Sequence, residues 1–140
     1  LVIRGIKTLP LRMEQHQKNA FAIAKWLQKQ LRVQYVLYPG LENHPGYVIN
    51  KAQTTGFGGM ISFAVDNAET ARQILEGIKL IKFAESLGGT ESLITYPIRQ
   101  THTDLTAENG ITDCLLRFST GIEATQDLID DLAQAFAAIE

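Results

Sequence analysis

The sequence predicts an α+β domain, a mostly antiparallel sheet of about four strands with helices packed on one face. Two patterns carry this. Three segments repeat apolar residues at three- and four-residue spacing, as amphipathic helices do. Four short runs rich in β-forming residues are bounded by glycine or proline, and loops join several of them, which favours antiparallel pairing.

The first helix is expected over residues 11–31, where Ala20, Ile23, Ala24, Leu27 and Leu31 form one stripe and Glu14, Gln17, Lys18, Lys25 and Gln28 supply polar surface. Thr8 and Pro10 mark its start. Val33 to Tyr38 reads as a strand stopped by Pro39-Gly40, and His44-Pro45-Gly46 lies in a loop. Tyr47 to Gln53 suits a short helix. The glycine cluster Gly56-Phe57-Gly58-Gly59 turns the chain into a second strand, Met60 to Val65, with Ile61, Phe63 and Val65 on one side. Asp66 and Asn67 are helix caps, Ala71, Ile74, Leu75 and Ile78 give a core face, and Gly77 ends the helix. Ser86 to Gly89 must turn. Glu91 to Tyr96 is a third strand, stopped by Pro97, and residues 99–110 read as a polar loop. Cys114 to Thr120 is the fourth strand. Gly121 leads into a last helix with Leu128, Ile129, Leu132, Ala135, Phe136 and Ile139 inside and Asp127, Asp130, Asp131 and Gln134 on the wet face.

With 140 residues, 45% of them hydrophobic and 20% charged, the chain suffices for one globular domain with a sizeable core. Charges of both signs are interspersed to a net −2, with no basic stripe for nucleic acid. No apolar run approaches the roughly 20 residues that span a membrane, and no signal-peptide pattern opens the chain. A cytoplasmic location is the expectation. The chain opens on Leu1 within an apolar-basic segment, which suggests a piece of a longer polypeptide.

Cys114, the single cysteine, rules out an internal disulfide framework and is expected as a buried structural thiol in the run Cys114-Leu115-Leu116. His16, His44 and His102 have no metal-ligand spacing and read as surface or loop residues. The glycine cluster at 56–59 lacks the lysine and the following helix of a phosphate loop, so it reads as a structural turn. Two segments resist a purely structural reading. Ala84 to Leu93 gathers carboxylates, hydroxyls and two glycines between apolar runs. Arg117 lies inside an apolar strand, where a guanidinium requires a partner: a protein carboxylate such as Glu91, or a ligand carboxylate.

The motifs, taken in order, resemble the Cys/Met metabolism (transsulfuration) family of pyridoxal-phosphate (PLP) enzymes. The matching stretches are Arg4-Gly5-Ile6-Lys7-Thr8-Leu9 with Arg12-Met13-Glu14, Tyr38-Pro39-Gly40-Leu41 with His44-Pro45, and Gly58-Gly59-Met60-Ile61-Ser62-Phe63. They continue through Glu85-Ser86-Leu87-Gly88-Gly89, Glu91-Ser92-Leu93, Thr101-His102, Gly110-Ile111 and Leu116 to Glu123. The resemblance implies the C-terminal, smaller domain of a type I PLP-dependent transferase, with residues 1–10 as the end of the connecting segment. It implies PLP and its Schiff-base lysine on a large domain outside this chain, since neither Lys79 nor Lys82 matches the lysine motif, and hence no activity for this chain alone. The implied activity is cystathionine gamma-synthase acting on an O-acylhomoserine, or cystathionine beta- or gamma-lyase. Its implied partners are an amino-acid substrate and the large domain, in a homo-oligomer, a homotetramer in the family. Carried over by position, Arg117 matches the arginine that holds the substrate α-carboxylate, and Ser86 a serine that helps position it. Glu85 matches a position that varies with reaction type, and Thr101 a threonine near the site. Thr103 and a shorter loop before Gly110 depart from the pattern. A free-standing α+β binding module is the rival reading.

Overall fold

The computed structural model describes residues 1–100 and 111–139. Its helices are α1 (Val2–Ile6), α2 (Leu9–Leu27), α3 (Tyr47–Gln53), α4 (Ala68–Gly77), α5 (Pro97–Gln100) and α6 (Thr125–Ala137). Its strands are β1 (Val33–Leu37), β2 (Met60–Val65), β3 (Lys82–Phe83), β4 (Leu93–Thr95) and β5 (Leu115–Ser119), and the sheet order is β1-β2-β5-β4-β3.

The four expected strands pair antiparallel, with β5 in the centre. The two-residue β3 adds a fifth strand, parallel to β4 at the edge. Sequence alone hid it because Lys79 to Phe83 mixes lysines with apolar residues and is too short to show a period. The antiparallel register aligns Ile94, Phe118 and Ile61, and beside them Leu116, Phe63 and Val36. These side chains form one buried face, and α2, α4 and α6 pack over it with Ile23, Leu27, Ile74, Leu128 and Leu132. Asn67 caps α4 as expected: its side-chain oxygen accepts the Thr70 N–H at 2.8 Å.

Several residues differ from their expected surroundings. α2 ends at Leu27, and Leu31 is fully exposed beyond it. Thr8 stands at the N-cap without accepting a capping bond; its hydroxyl donates instead to the Gly5 carbonyl. His16 is a core histidine, 3% exposed. Its Nδ1 lies 2.5 Å from the Thr120 carbonyl, which accepts, so that nitrogen carries the proton. Beside it Gly59 has no room for a side chain, since a Cβ would stand 2.9 Å from both His16 Cβ and Thr120 Oγ1. The glycine cluster thus serves close approach of α2 to the sheet. Cys114 is half-buried rather than enclosed, because it lies just before β5 at the sheet's end. Burial, followed by a hydrogen bond to Asp113, pushes its thiol pKa up.

The largest correction concerns Asp131, placed on the wet face of α6 by residue type. It is 7% exposed. Its carboxylate accepts the N–H groups of Lys79, Leu80 and Ile81 at 2.8, 2.9 and 2.9 Å. Gln134, also assigned to the wet face, donates to the Gly77 carbonyl at 2.6 Å. Together the two side chains fasten the segment leaving α4 onto α6, and so fix where β3 and the turn after it begin.

Candidate functional site

The sheet face opposite the helices carries the polar residues. The register sets Ser62, Arg117 and Thr95 in one row across β2, β5 and β4. Alternation along β5 explains why: Leu116 and Phe118 fill the core, so Arg117 and Ser119 point the other way. Arg117 is therefore not a charge trapped in the apolar core. It is half-buried on the face of the central strand opposite the core.

The guanidinium is held by one nitrogen. Nη2 donates to the Glu85 carbonyl at 2.8 Å and to the Thr95 hydroxyl at 3.2 Å. That hydroxyl donates in turn to the Ala84 carbonyl at 2.8 Å, and the Ala84 N–H donates to the Ile94 carbonyl. Among the described residues, nothing accepts from Nη1 or Nε. The ion pairs there are Arg32–Asp66 and Arg72–Glu69, so the expected protein partner, Glu91, does not pair with Arg117. The Nη2 contacts fix the plane of the guanidinium, and N–H groups on Nη1 and Nε remain to donate to an anion such as a carboxylate.

Glu85 contributes its carbonyl, while its carboxylate is exposed. Ser86 and Leu87 follow, both exposed, and Gly88 closes the turn at φ +73°, a conformation that L side chains rarely adopt. The Gly88 N–H donates to the Ser119 hydroxyl at 2.9 Å. The structure thus brings three of the expected site residues together, Arg117, Glu85 and Ser86, at the end of β4 and β5. Thr101, with His102 beside it, lies outside the described residues.

Sequence reasoning missed the groups that hold this corner. Ser92 and Glu123 form a closed unit: Glu123 accepts the Ser92 N–H at 2.7 Å and its hydroxyl at 2.9 Å, and the Gly121 N–H donates to that hydroxyl at 2.8 Å. Asn19 of α2 donates to the carbonyls of Gly121 and Glu123, both at 2.9 Å. These bonds fix the chain immediately after Ser119. The available signal was the polar cluster Glu91-Ser92 and Gly121-Ile122-Glu123 at the ends of two apolar runs, but nothing in it told which side chains pair.

A model of the family described as Cys/Met metabolism PLP-dependent enzyme matches residues 1–137. The chain belongs to this family. It is 51% identical over 140 residues to a cystathionine gamma-lyase of Dictyostelium discoideum, covering 96% of this chain and 36% of that protein. It is 50% identical over 144 residues to a cystathionine gamma-synthase of Haemophilus influenzae, covering all of this chain and 35% of that one. Cystathionine beta-lyases and L-methionine gamma-lyases are similar at comparable levels. In three dimensions it matches the crystal structure of metB from Corynebacterium glutamicum with TM-score 0.92 at 42% identity, over 98% of this chain and 36% of that one. The chain spans little more than a third of the length of these relatives.

The family's cofactor requires an amine for its aldehyde and donors for its phosphate. Every lysine of the chain is exposed, and Lys82 next to the turn donates to the Lys79 carbonyl. Around Arg117 stand a carbonyl and hydroxyls. These groups accept from Arg117 and the turn rather than donate, and with every lysine exposed the described residues do not supply an enclosed amine for the aldehyde of PLP. Among the described residues, no cluster of three His, Cys, Asp or Glu is placed to hold a metal ion, and no helix is long and apolar enough to cross a membrane.

Proposed function

We propose that this chain is the C-terminal, substrate-closing domain of a PLP-dependent enzyme acting on cystathionine or an O-acylhomoserine, with Arg117 gripping the α-carboxylate. The observation that carries the reading is the partly used guanidinium: Nη2 is fixed by Glu85 and Thr95 while Nη1 and Nε take no partner among the described residues. PLP, when bound, supplies an electron sink for carbanion chemistry, and in this reading it sits on the large domain of the same polypeptide.

The chain's own contribution is orientation. A guanidinium fixed in its plane holds the amino acid by its carboxylate and limits the poses in which its reacting carbons meet the cofactor. The exposed turn at Ser86 and Leu87 follows Glu85, whose carbonyl anchors Arg117, and the exposed Glu85 carboxylate is assigned a bearing on reaction type by family position. Thr101 matches a family threonine near the site. Gamma-synthase, gamma-lyase and beta-lyase activities are all represented among relatives near 50% identity, and a homo-oligomer in the cytoplasm completes the proposal. A free-standing binding module would leave the family match over residues 1–137 without a reason.

The test is product analysis on the full-length polypeptide and on this chain alone. With cysteine and an O-acylhomoserine, a synthase forms cystathionine. With cystathionine, cleavage at Cγ releases cysteine and cleavage at Cβ releases homocysteine. The expected result is one of these from the full-length protein and none from the chain alone with added PLP. Turnover by the chain alone, or no such product from the full-length protein, contradicts the proposal.

A further inference from the structure

We infer that Ser119 is a positioning residue for the substrate-carboxylate site, because it latches the Ser86–Leu87 turn against β5. The inference rests on the reading of Arg117 given above and extends it to a residue that meets no substrate.

Arg117 and Ser119 lie two residues apart on one strand, so their side chains leave the same face. Both reach the same turn. Arg117 Nη2 takes the Glu85 carbonyl at its start, and the Ser119 hydroxyl takes the Gly88 N–H at its end. Ser86 and Leu87 hang between these two points, exposed, and neither makes a side-chain hydrogen bond among the described residues. Their placement against Arg117 therefore depends on the two fastenings. Gly88 donates its bond to Ser119 at φ +73°, a backbone conformation that L side chains rarely adopt.

Ser119 is itself well fixed. It is 3% exposed and pairs with both Met60 and Leu93 in the sheet. The chain after it is locked by Thr120 to Gly59 and by Gly121 to Ser92. A fixed acceptor on a strand meeting a backbone N–H of a turn is the arrangement that holds a loop in register with a strand. Without the hydroxyl, the fold retains its core and the Arg117 anchor, but the far end of the turn is free to drift from the fork.

The experiment uses the full-length polypeptide. Ser119→Ala is compared with wild type, Ser119→Thr and Arg117→Ala for KM, kcat, melting temperature and the absorbance of bound PLP. Loss of one hydrogen bond at the turn is expected to raise KM about three- to tenfold. The expected kcat stays within about twofold, with melting and PLP absorbance unchanged, and Ser119→Thr, which keeps the hydroxyl, restores KM. Should Ser119→Ala not fold, Ser119→Cys replaces it, since sulfur is a weak acceptor, and the same split is expected. An unchanged KM in Ser119→Ala beside a raised KM in Arg117→Ala overturns the inference and leaves the carboxylate reading standing. An unchanged KM in both overturns both. A lowered melting temperature with unchanged KM shows Ser119 to be structural only and also overturns it.

Discussion

Replacing Asp131 removes a side chain that binds three consecutive backbone N–H groups. Its oxygens lie 2.8–2.9 Å from the nitrogens of Lys79, Leu80 and Ile81, and the residue is nearly buried. Hydrogen bonds to a charged group are each worth about 1.5–3 kcal/mol. They share one carboxylate, so they do not add. In Asp131→Ala, water can satisfy the N–H groups of Lys79 and Leu80, which are exposed residues, while Ile81 is buried and its N–H loses its acceptor. The expected loss is about 3 kcal/mol, near that of orphaning a buried donor plus a charged contact. For a chain of this length that lowers the melting temperature by roughly 10 °C. Asp131→Asn keeps one acceptor oxygen but turns an NH2 toward the remaining donors, so its loss is expected at about half to all of the alanine value. Urea denaturation of the chain measures the difference, and amide hydrogen exchange locates it: protection should fall first at residues 79–81. A loss under about 1 kcal/mol for Asp131→Ala, or unchanged protection at those three amides, refutes the reasoning.

Tyr38 is fully enclosed, its hydroxyl donates to the Gly58 carbonyl at 2.9 Å, and burial pushes its pKa up to about 12 from an ordinary 10.0. The unfolded phenol ionises first, so the stability from keeping it neutral is complete below pH 10 and is lost as pH rises toward 12. Tyr38→Phe should flatten this alkaline limb in urea midpoints measured from pH 9 to 12; parallel limbs for the two proteins contradict it. Gly88→Ala places a Cβ on a backbone at φ +73° and should cost about 1–2 kcal/mol by thermal melting; an unchanged melting temperature shows that the turn relaxes to another conformation.

Much of the architecture was legible because its signals are local. β2 alternates, α4 carries both its cap and its terminal glycine, and Pro97 follows β4. What failed was assignment by residue type where spacing said otherwise. Asp131 lies three residues after Leu128 and four before Ala135, which is the core side of α6, and only its charge suggested water. His16 lies four residues before Ala20 and shares its stripe for the same reason. At the site, Arg117 was conspicuous as a charge between Leu116 and Phe118, yet the sequence does not say which face of a strand meets solvent. The open face, and the fastening of the turn by Thr95 and Ser119, follow from pairing between distant segments. No local pattern encodes that pairing.

The role of Arg117 is tested most directly in the full-length polypeptide by steady-state kinetics of Arg117→Ala and Arg117→Lys, read beside melting temperature and bound-PLP absorbance. Losing a charge-assisted hydrogen bond to a carboxylate, at about 1.5–3 kcal/mol, predicts a loss in kcat/KM of at least tenfold for alanine. Lysine keeps the charge without the fork, so its loss is expected to be smaller but clear. Melting temperature and PLP absorbance should stay near wild type, because the side chain lies outside the core and spans no ion pair among the described residues. A fall in stability of several kcal/mol with kcat/KM unchanged in the folded protein would instead mark Arg117 as structural, and would contradict the assignment of this face to the substrate carboxylate.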